Sequence, residues 1–377
     1  MTKNCKKYDV VVIGGGLAGL TCSILLNRLE IKTLLIEKRQ YPFHRVCGEY
    51  VSNEVKGFLE FHNLLPKSIE FSEIDKFLLS SISGKKKIID LDLGGFGISR
   101  YAFDNHLYEI AKDEGVSILF DEVTEINFLE SEFQVNTKQY GELTSELLIG
   151  AFGKRSKLDQ KLKRDFIKKK SPYIGVKYHI KYDFDKHTVA LHNFEGGYCG
   201  INAIEAGKFN LCYLSHRYNL KNHKDIPGME NEILFKNPHL KKIFNEAEFL
   251  FDKPEVINEI SFETKGPIEN HILMIGDAAG MITPLCGNGM AMAIHASKIA
   301  VEEVSKYFVN HRDRKKLEMQ FQNSWNKQFK KRLAFGRTVQ NLFGKPAQSD
   351  FAIKMLSIKP LADLIIKSTH GKPIRID

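Results

Sequence analysis

Two short stretches carry residue types suited to holding a charged ligand. They are Gly14-Gly15-Gly16-Leu17-Ala18-Gly19 near the start and Gly276-Asp277-Ala278-Ala279-Gly280 in the last third of the chain. Closely spaced glycines ahead of a helix leave its first N–H groups bare, and those groups, with the positive end of the helix dipole, bind phosphate. An acid delivered by the end of a strand, as Asp277 is, accepts hydrogen bonds from the hydroxyls of a ribityl chain. Cys47 and Glu49 add side chains suited to proton transfer. The thiol can protonate a carbanion-like centre or modulate a bound redox group, and the carboxyl can act as an acid-base group or hold a loop. In this order in one chain, the two glycine stretches predict a single FAD held at its ADP end by the first and at its flavin end by the second.

The elements that must position these residues are legible around them. Tyr8 to Ile13 is a short β-branched run that stops at the glycines, as a buried parallel strand does. Leu17, Leu20, Ile24, Leu25 and Leu29 then recur at helical spacing, and Thr33-Leu34-Leu35-Ile36 is a second strand ending in Glu37. This is the opening unit of a dinucleotide fold. Gly14 permits the tight turn, Gly16 lets the backbone approach a pyrophosphate, and Gly19 lets helix pack on strand. Leu17 and Ala18 bring the helix N-terminus to the phosphates, Glu37 is placed for the adenosine ribose, and Lys38 stands beside it.

Downstream, Ile272-Leu273-Met274-Ile275 is a short buried strand that delivers Gly276 and Asp277. A glycine-rich turn with Gly287, Asn288 and Gly289 leads into a helix expected from about Met290 to Tyr307. The N-terminus of that helix can face a flavin closely and favour the negative charge that reduction places on it. Cys286, just before the turn, reads as a packing residue.

Composition limits the alternatives. The 377 residues are 43% hydrophobic, enough for a sizeable globular core. No apolar run reaches a membrane span and no leader-like segment opens the chain, so the expectation is cytoplasmic, with contact at a membrane periphery left open. The six cysteines form no Cys-x-x-Cys pair, which argues against a dithiol-disulfide reductase, and the thirteen histidines form no ligand cluster, so no metal site is expected. The net charge of +9 is concentrated in Lys154 to Lys170 and in a second run from Arg312 to Arg332. These runs read as solvated helix faces or as contacts for an anionic membrane or acidic carrier protein. They lack interleaved aromatics, so nucleic acid is not an expected partner.

Nearly the whole chain resembles the flavoprotein superfamily of p-hydroxybenzoate-hydroxylase-type monooxygenases, geranylgeranyl reductases and flavin-dependent halogenases. Besides the two motifs, Tyr41-Pro42-Phe43-His44-Arg45-Val46-Cys47-Gly48-Glu49 resembles the reductase-like branch, which carries Arg and Cys-Gly beside the flavin. Arg100-Tyr101-Ala102-Phe103-Asp104-Asn105-His106-Leu107 resembles a helix start whose Arg contacts the cofactor. The resemblance also implies adenine contact at Val123, ribityl contact at Asp277, and pyrimidine contact at Gly287, Gly289 and Met290. Phe152 replaces the acid of the monooxygenases' Gly-Ala-Asp-Gly segment. The only tryptophan, Trp325, does not fit the tryptophan halogenases' motif. Gly197-Tyr198-Cys199-Gly200-Ile201-Asn202 keeps the tyrosine of the reductases' substrate motif without its tryptophan and proline, so prenyl-lipid specificity does not carry over.

The expected architecture is α/β. A Rossmann-like FAD-binding domain of the glutathione-reductase type (1–70, 95–164 and 263–310) is interleaved with a smaller antiparallel-sheet substrate domain (71–94 and 165–262), and a helical C-terminal region (311–377) follows. No second glycine fingerprint appears, so NAD(P)H, if it is the electron donor, would bind only transiently, and a reduced protein donor stays open. The first expectation is a reductase or dehydrogenase acting on an apolar or carrier-bound small molecule. The alternatives are an NAD(P)H-dependent hydroxylase and a flavin-binding redox protein without turnover.

Overall fold

The computed structural model describes residues 6–283, 287–311, 313–340, 343–362, 365 and 371–375; Cys286 lies outside them. Two sheets organise the chain. The first has eight strands, with a run in the order Ile268–Glu269, Ile272–Met274, Glu142–Gly150, Lys7–Ile13, Thr33–Glu37 and Ser117–Phe120. Strands Val123–Leu129 and Glu132–Thr137 complete it beside Glu142–Gly150. Lys7–Ile13, Thr33–Glu37, Ser117–Phe120, Glu142–Gly150 and Ile272–Met274 run parallel, with Ile13 and Met274 both in register with Gly150. That register brings the two glycine motifs together. Residues some 260 positions apart in the chain leave neighbouring parallel strands at the same end, where ligands of such sheets bind.

The Leu17–Arg28 helix lies beneath that end and buries every residue from Leu17 to Leu26. It is buried on both sides because the Gly289–Val309 helix packs across it, with the Ser297 hydroxyl donating to the Ala18 carbonyl at 2.8 Å. The Arg314–Gln340 helix closes over this pair with Phe321, Trp325 and Phe329, which accounts for the single tryptophan as core.

The second sheet has nine strands, and its long run is Glu248–Phe249, Tyr173–Lys181, Phe209–His216, Gly197–Ala203, Thr188–Phe194, Ser72–Ser80, Lys86–Gly97 and Tyr50–Ser52. It is antiparallel as expected except where Thr188–Phe194 pairs parallel with Ser72–Ser80. Those two strands are joined by a long excursion through the first sheet, so no hairpin dictates their direction. Tyr50–Ser52, from within segment 1–70, pairs with Phe96 and Gly97 and stitches the cofactor loop to this sheet. Helices Ile226–Ile233 and Pro238–Glu246 cover one face, and the C-terminal Pro346–Leu356 helix packs on the other. Among the described residues, no helix is long and apolar enough to cross a membrane.

Glu230 sits in the core under Ile226–Ile233, where the Tyr178 and Tyr213 hydroxyls donate to one of its oxygens at 3.0 and 2.8 Å. Burial pushes its pKa up to about 7, and the two hydrogen bonds offset only part of that. The folded state therefore holds a proton that the unfolded chain releases above about 4.5. The corresponding stability is complete below that value and disappears as pH rises through 7. Glu230→Gln, neutral throughout, is expected to remove on the order of 3 kcal/mol of this decline between pH 4 and 8. Urea midpoints at the two pH values check it, and parallel pH curves for the parent and Glu230→Gln contradict it.

Candidate functional site

The parallel strand ends open on a cavity of about 600 Å³ between the two sheets. Gly14, at φ +105°, makes the first turn; a Cβ there would strike the Ala151 carbonyl. Gly16 caps the Leu17–Arg28 helix without any side-chain capping bond, and the space above it is open except for the Arg100 guanidinium at 3.3 Å. Asn288 likewise caps the Gly289–Val309 helix with no side-chain capping bond. Two helix N-termini with bare N–H groups thus face one cavity. A pair of anion-favouring sites spaced along a single void fits a ligand with phosphates at one end and an electron-accepting ring at the other.

Gly14, Gly16, Leu17, Ala18, Glu37, Lys38, Arg45, Cys47, Glu49, Arg100, Val123, Gly276, Asp277, Gly287, Gly289 and Met290 all line this cavity. Gly19 does not; it lies under the turn, where a Cβ would strike the Gly14 carbonyl, and serves packing. Glu37 already accepts the Gly15 N–H at 2.8 Å and the Arg39 N–H at 3.1 Å. Arg45 binds Glu37 at 3.2 Å and Asp104 at 3.0 Å, and Arg100 grips Asp104 bidentately at 2.6 and 2.7 Å. The buried Asp104 is the hub that aims both arginines. Its i, i+4 spacing from Arg100 in the helix makes the clamp, and it raises the Arg100 pKa although burial works the other way.

The Arg45 to Glu49 loop is held from the second sheet. Lys177 donates to the Arg45 carbonyl at 3.1 Å, and Asn210 donates to the Cys47 and Gly48 carbonyls at 3.2 and 2.8 Å. Asn202 donates to the Glu49 carbonyl at 3.3 Å. The fully buried Glu49 carboxylate binds the Lys177 ammonium, the His179 ring at 2.7 Å and the Arg100 N–H at 2.8 Å. Burial alone favours its neutral form, but Lys177 and His179 outweigh it and hold the pKa below the ordinary value. Beside it, His44 is pushed down to about 4 by burial and by Lys177, so it faces the cavity neutral, stacked on Tyr101 at 4.6 Å. No atom comes within 4 Å of where a Gly48 Cβ would stand. A flat ligand can therefore lie directly against the backbone next to Cys47.

Lys177, His179, Asn202 and Asn210 are not visible as site residues in the sequence. Lys177 and His179 alternate with Val176, Tyr178 and Ile180, a pattern that reads as the solvent face of a strand. Their partner lies some 130 residues away in the chain. Phe152 also lines the cavity, where the resemblance would have an acid.

This architecture, a parallel sheet whose strand ends meet two uncapped helix N-termini around one ligand cavity, defines a dinucleotide-binding oxidoreductase fold with room for FAD. Residues 7–319 match the FAD binding domain family. The chain belongs to that family and is an FAD-dependent oxidoreductase. It is 26% identical over 313 residues to the digeranylgeranylglycerophospholipid reductase of Methanosarcina acetivorans, covering 78% of this chain and 74% of that one. To digeranylgeranylglycerophospholipid reductase 1 of Methanococcoides burtonii it is 25% identical over 378 residues, covering 94% and 88%. Among solved structures, the flavin-dependent brominase Bmp2 shares the fold with a TM-score of 0.78 at 19% identity, covering 97% of this chain and 93% of that one. When bound, FAD supplies the hydride and electron chemistry. The protein's own residues supply the cradle and the charges around it.

Proposed function

We propose that the protein is an FAD-dependent reductase of an unsaturated, apolar small molecule of lipid-like character, with Gly14 to Ala18, Glu37, Lys38, Arg45, Arg100 and Val123 holding the ADP half of the cofactor. In this reading, Asp277, Gly287, Gly289 and Met290 hold the flavin half, Cys47 donates the proton, and Glu49 orders the loop. The observation that carries it is an apolar stretch of the cavity that Cys47 lines. Val256, Ile257 and Met281 line the cavity there, and Ile257 and Met281 also join the apolar cluster under the Pro346–Leu356 helix. An apolar chain can lie along that surface with its double bond next to the thiol. The lipid reductases of comparable sequence support the same reading.

In this reading NAD(P)H or a reduced protein supplies electrons from outside, because the glycine cradle at Gly14 to Gly19 is given to FAD. The exposed basic side chains of Lys157, Lys161, Lys163 and Lys168 to Lys170 can meet an anionic membrane or acidic carrier that presents the substrate. The test is anaerobic. Protein whose flavin has been chemically reduced is mixed with a polyunsaturated prenyl phospholipid in detergent, and the return of the oxidised flavin absorbance is followed. Reoxidation that depends on lipid concentration supports the reading. Reoxidation by oxygen alone, with none by any unsaturated lipid, sinks it.

A further inference from the structure

Lys154 stands four residues past the Glu142–Gly150 strand and lines the cavity. Among the described residues, its ammonium forms no hydrogen bond or ion pair. Its strongest electrostatic neighbours are the Asp277 carboxylate and the Cys47 thiol, followed by Cys212 and Arg100. Its carbonyl and that of Asp277 are both held by the Lys265 ammonium, which places it at the Asp277 end of the cavity. Burial pulls its pKa below the ordinary lysine value, with Asp277 pushing the other way. Lys154 is partly buried in the cavity wall, and a cation there without a bonded counter-charge is one whose partner a ligand can supply.

The position is also built. Lys265, itself buried, donates its ammonium to the Lys154 carbonyl at 2.6 Å and to the Asp277 carbonyl at 2.9 Å, and it packs over the Phe166 ring at 4.3 Å. It pins together the loops that follow two neighbouring parallel strands, so Lys154 and Asp277 are fixed relative to each other. Arg164 reinforces the same corner, donating to the Ala278 carbonyl at 2.9 Å while paired with the buried Asp159 at 2.8 Å.

We propose that Lys154 supplies a positive charge that favours the reduced, anionic form of the bound flavin, and that Lys265 is the positioning residue that keeps it there. A positive charge already standing at the flavin end favours the charge that reduction places there without rearrangement when the electrons arrive. The proposal rests on FAD binding and on no choice of substrate, so it survives failure of the reductase reading.

The experiment compares Lys154→Met, Lys154→Arg and Lys265→Met with the parent as FAD-loaded proteins. Each is equilibrated anaerobically at pH 7 with a reference dye, and the ratio of reduced to oxidised flavin is read from absorbance. Lys154→Met is expected to lower that ratio tenfold to a hundredfold, about 30 to 60 mV for a two-electron couple. Lys154→Arg is expected to stay within threefold of the parent, and Lys265→Met to shift by less in the same direction as Lys154→Met. If Lys154→Met holds FAD weakly, titration with oxidised and with reduced FAD gives the same comparison: a larger loss for the reduced form supports the proposal, and equal losses overturn it. A parental ratio in Lys154→Met overturns it, as does an arginine variant shifted as far as the methionine one.

Discussion

Cys47→Ala is expected to cut substrate turnover about 10²- to 10⁴-fold, the usual range for loss of a general acid, while leaving FAD bound with unchanged affinity. Delivery of a hydride to one carbon of a double bond leaves the neighbouring carbon in need of a proton. Cys47 is partly exposed, lines the cavity, and has its carbonyl fixed by Asn210, so the thiol has a defined position against the ligand. The proton returns to the thiol from solvent after turnover. Cys47→Ser is expected to behave almost as poorly, because a hydroxyl is a far weaker acid. If the side chain were only filling space, serine and alanine would both stay within a few-fold of the parent. Single-turnover reoxidation of reduced enzyme by substrate, with FAD affinity measured in parallel, separates these outcomes.

Glu49→Gln is expected to destabilise the protein by about 3 to 5 kcal/mol, the cost of leaving a buried charge without its partner. The amide keeps the size and some of the hydrogen bonds but strands the Lys177 ammonium, which is as fully buried as Glu49 itself. Because Glu49 has a lowered pKa, its contribution is present above the ordinary carboxyl value of 4.5 and is lost as pH falls through the native value. The double variant Glu49→Leu with Lys177→Met removes both charges and is expected to recover much of the loss. Denaturant unfolding of the FAD-loaded proteins measures each. A single variant as stable as the parent would mean that the pair contributes nothing to the loop that carries Cys47.

Much of the cofactor lobe was legible because it depends on local rules. A β-branched run, a glycine turn and a helical repeat specify Gly14 to Glu37 with no help from the rest of the chain. The strand before Asp277 and the helix after Gly289 are equally local, and the observed helix Gly289–Val309 differs from the expected one by one or two residues at each end. The network behind Cys47 depends instead on contacts between distant strands. Neither Lys177 nor Asn210 has a neighbour in sequence that reveals its partner.

The basic runs show the same boundary from another side. Charge counting treats Lys154 to Lys170 as one solvated face, and most of its lysines are exposed, but Arg164 is buried against Asp159 and Lys154 lines the cavity. In the second run, Arg332 is buried on the Glu54 carboxylate at 3.1 Å, and that carboxylate also receives the Gly371 N–H. A run of like charges reports composition, and only the fold decides which members meet water.

With FAD bound, the cavity is proposed to reduce a carbon–carbon double bond. The most direct measurement is the mass of the product formed from an unsaturated prenyl lipid during aerobic turnover with an electron donor present. A gain of two hydrogens per double bond and no incorporated oxygen is expected, and a product carrying one added oxygen atom, derived from molecular oxygen, would overturn the reductase reading.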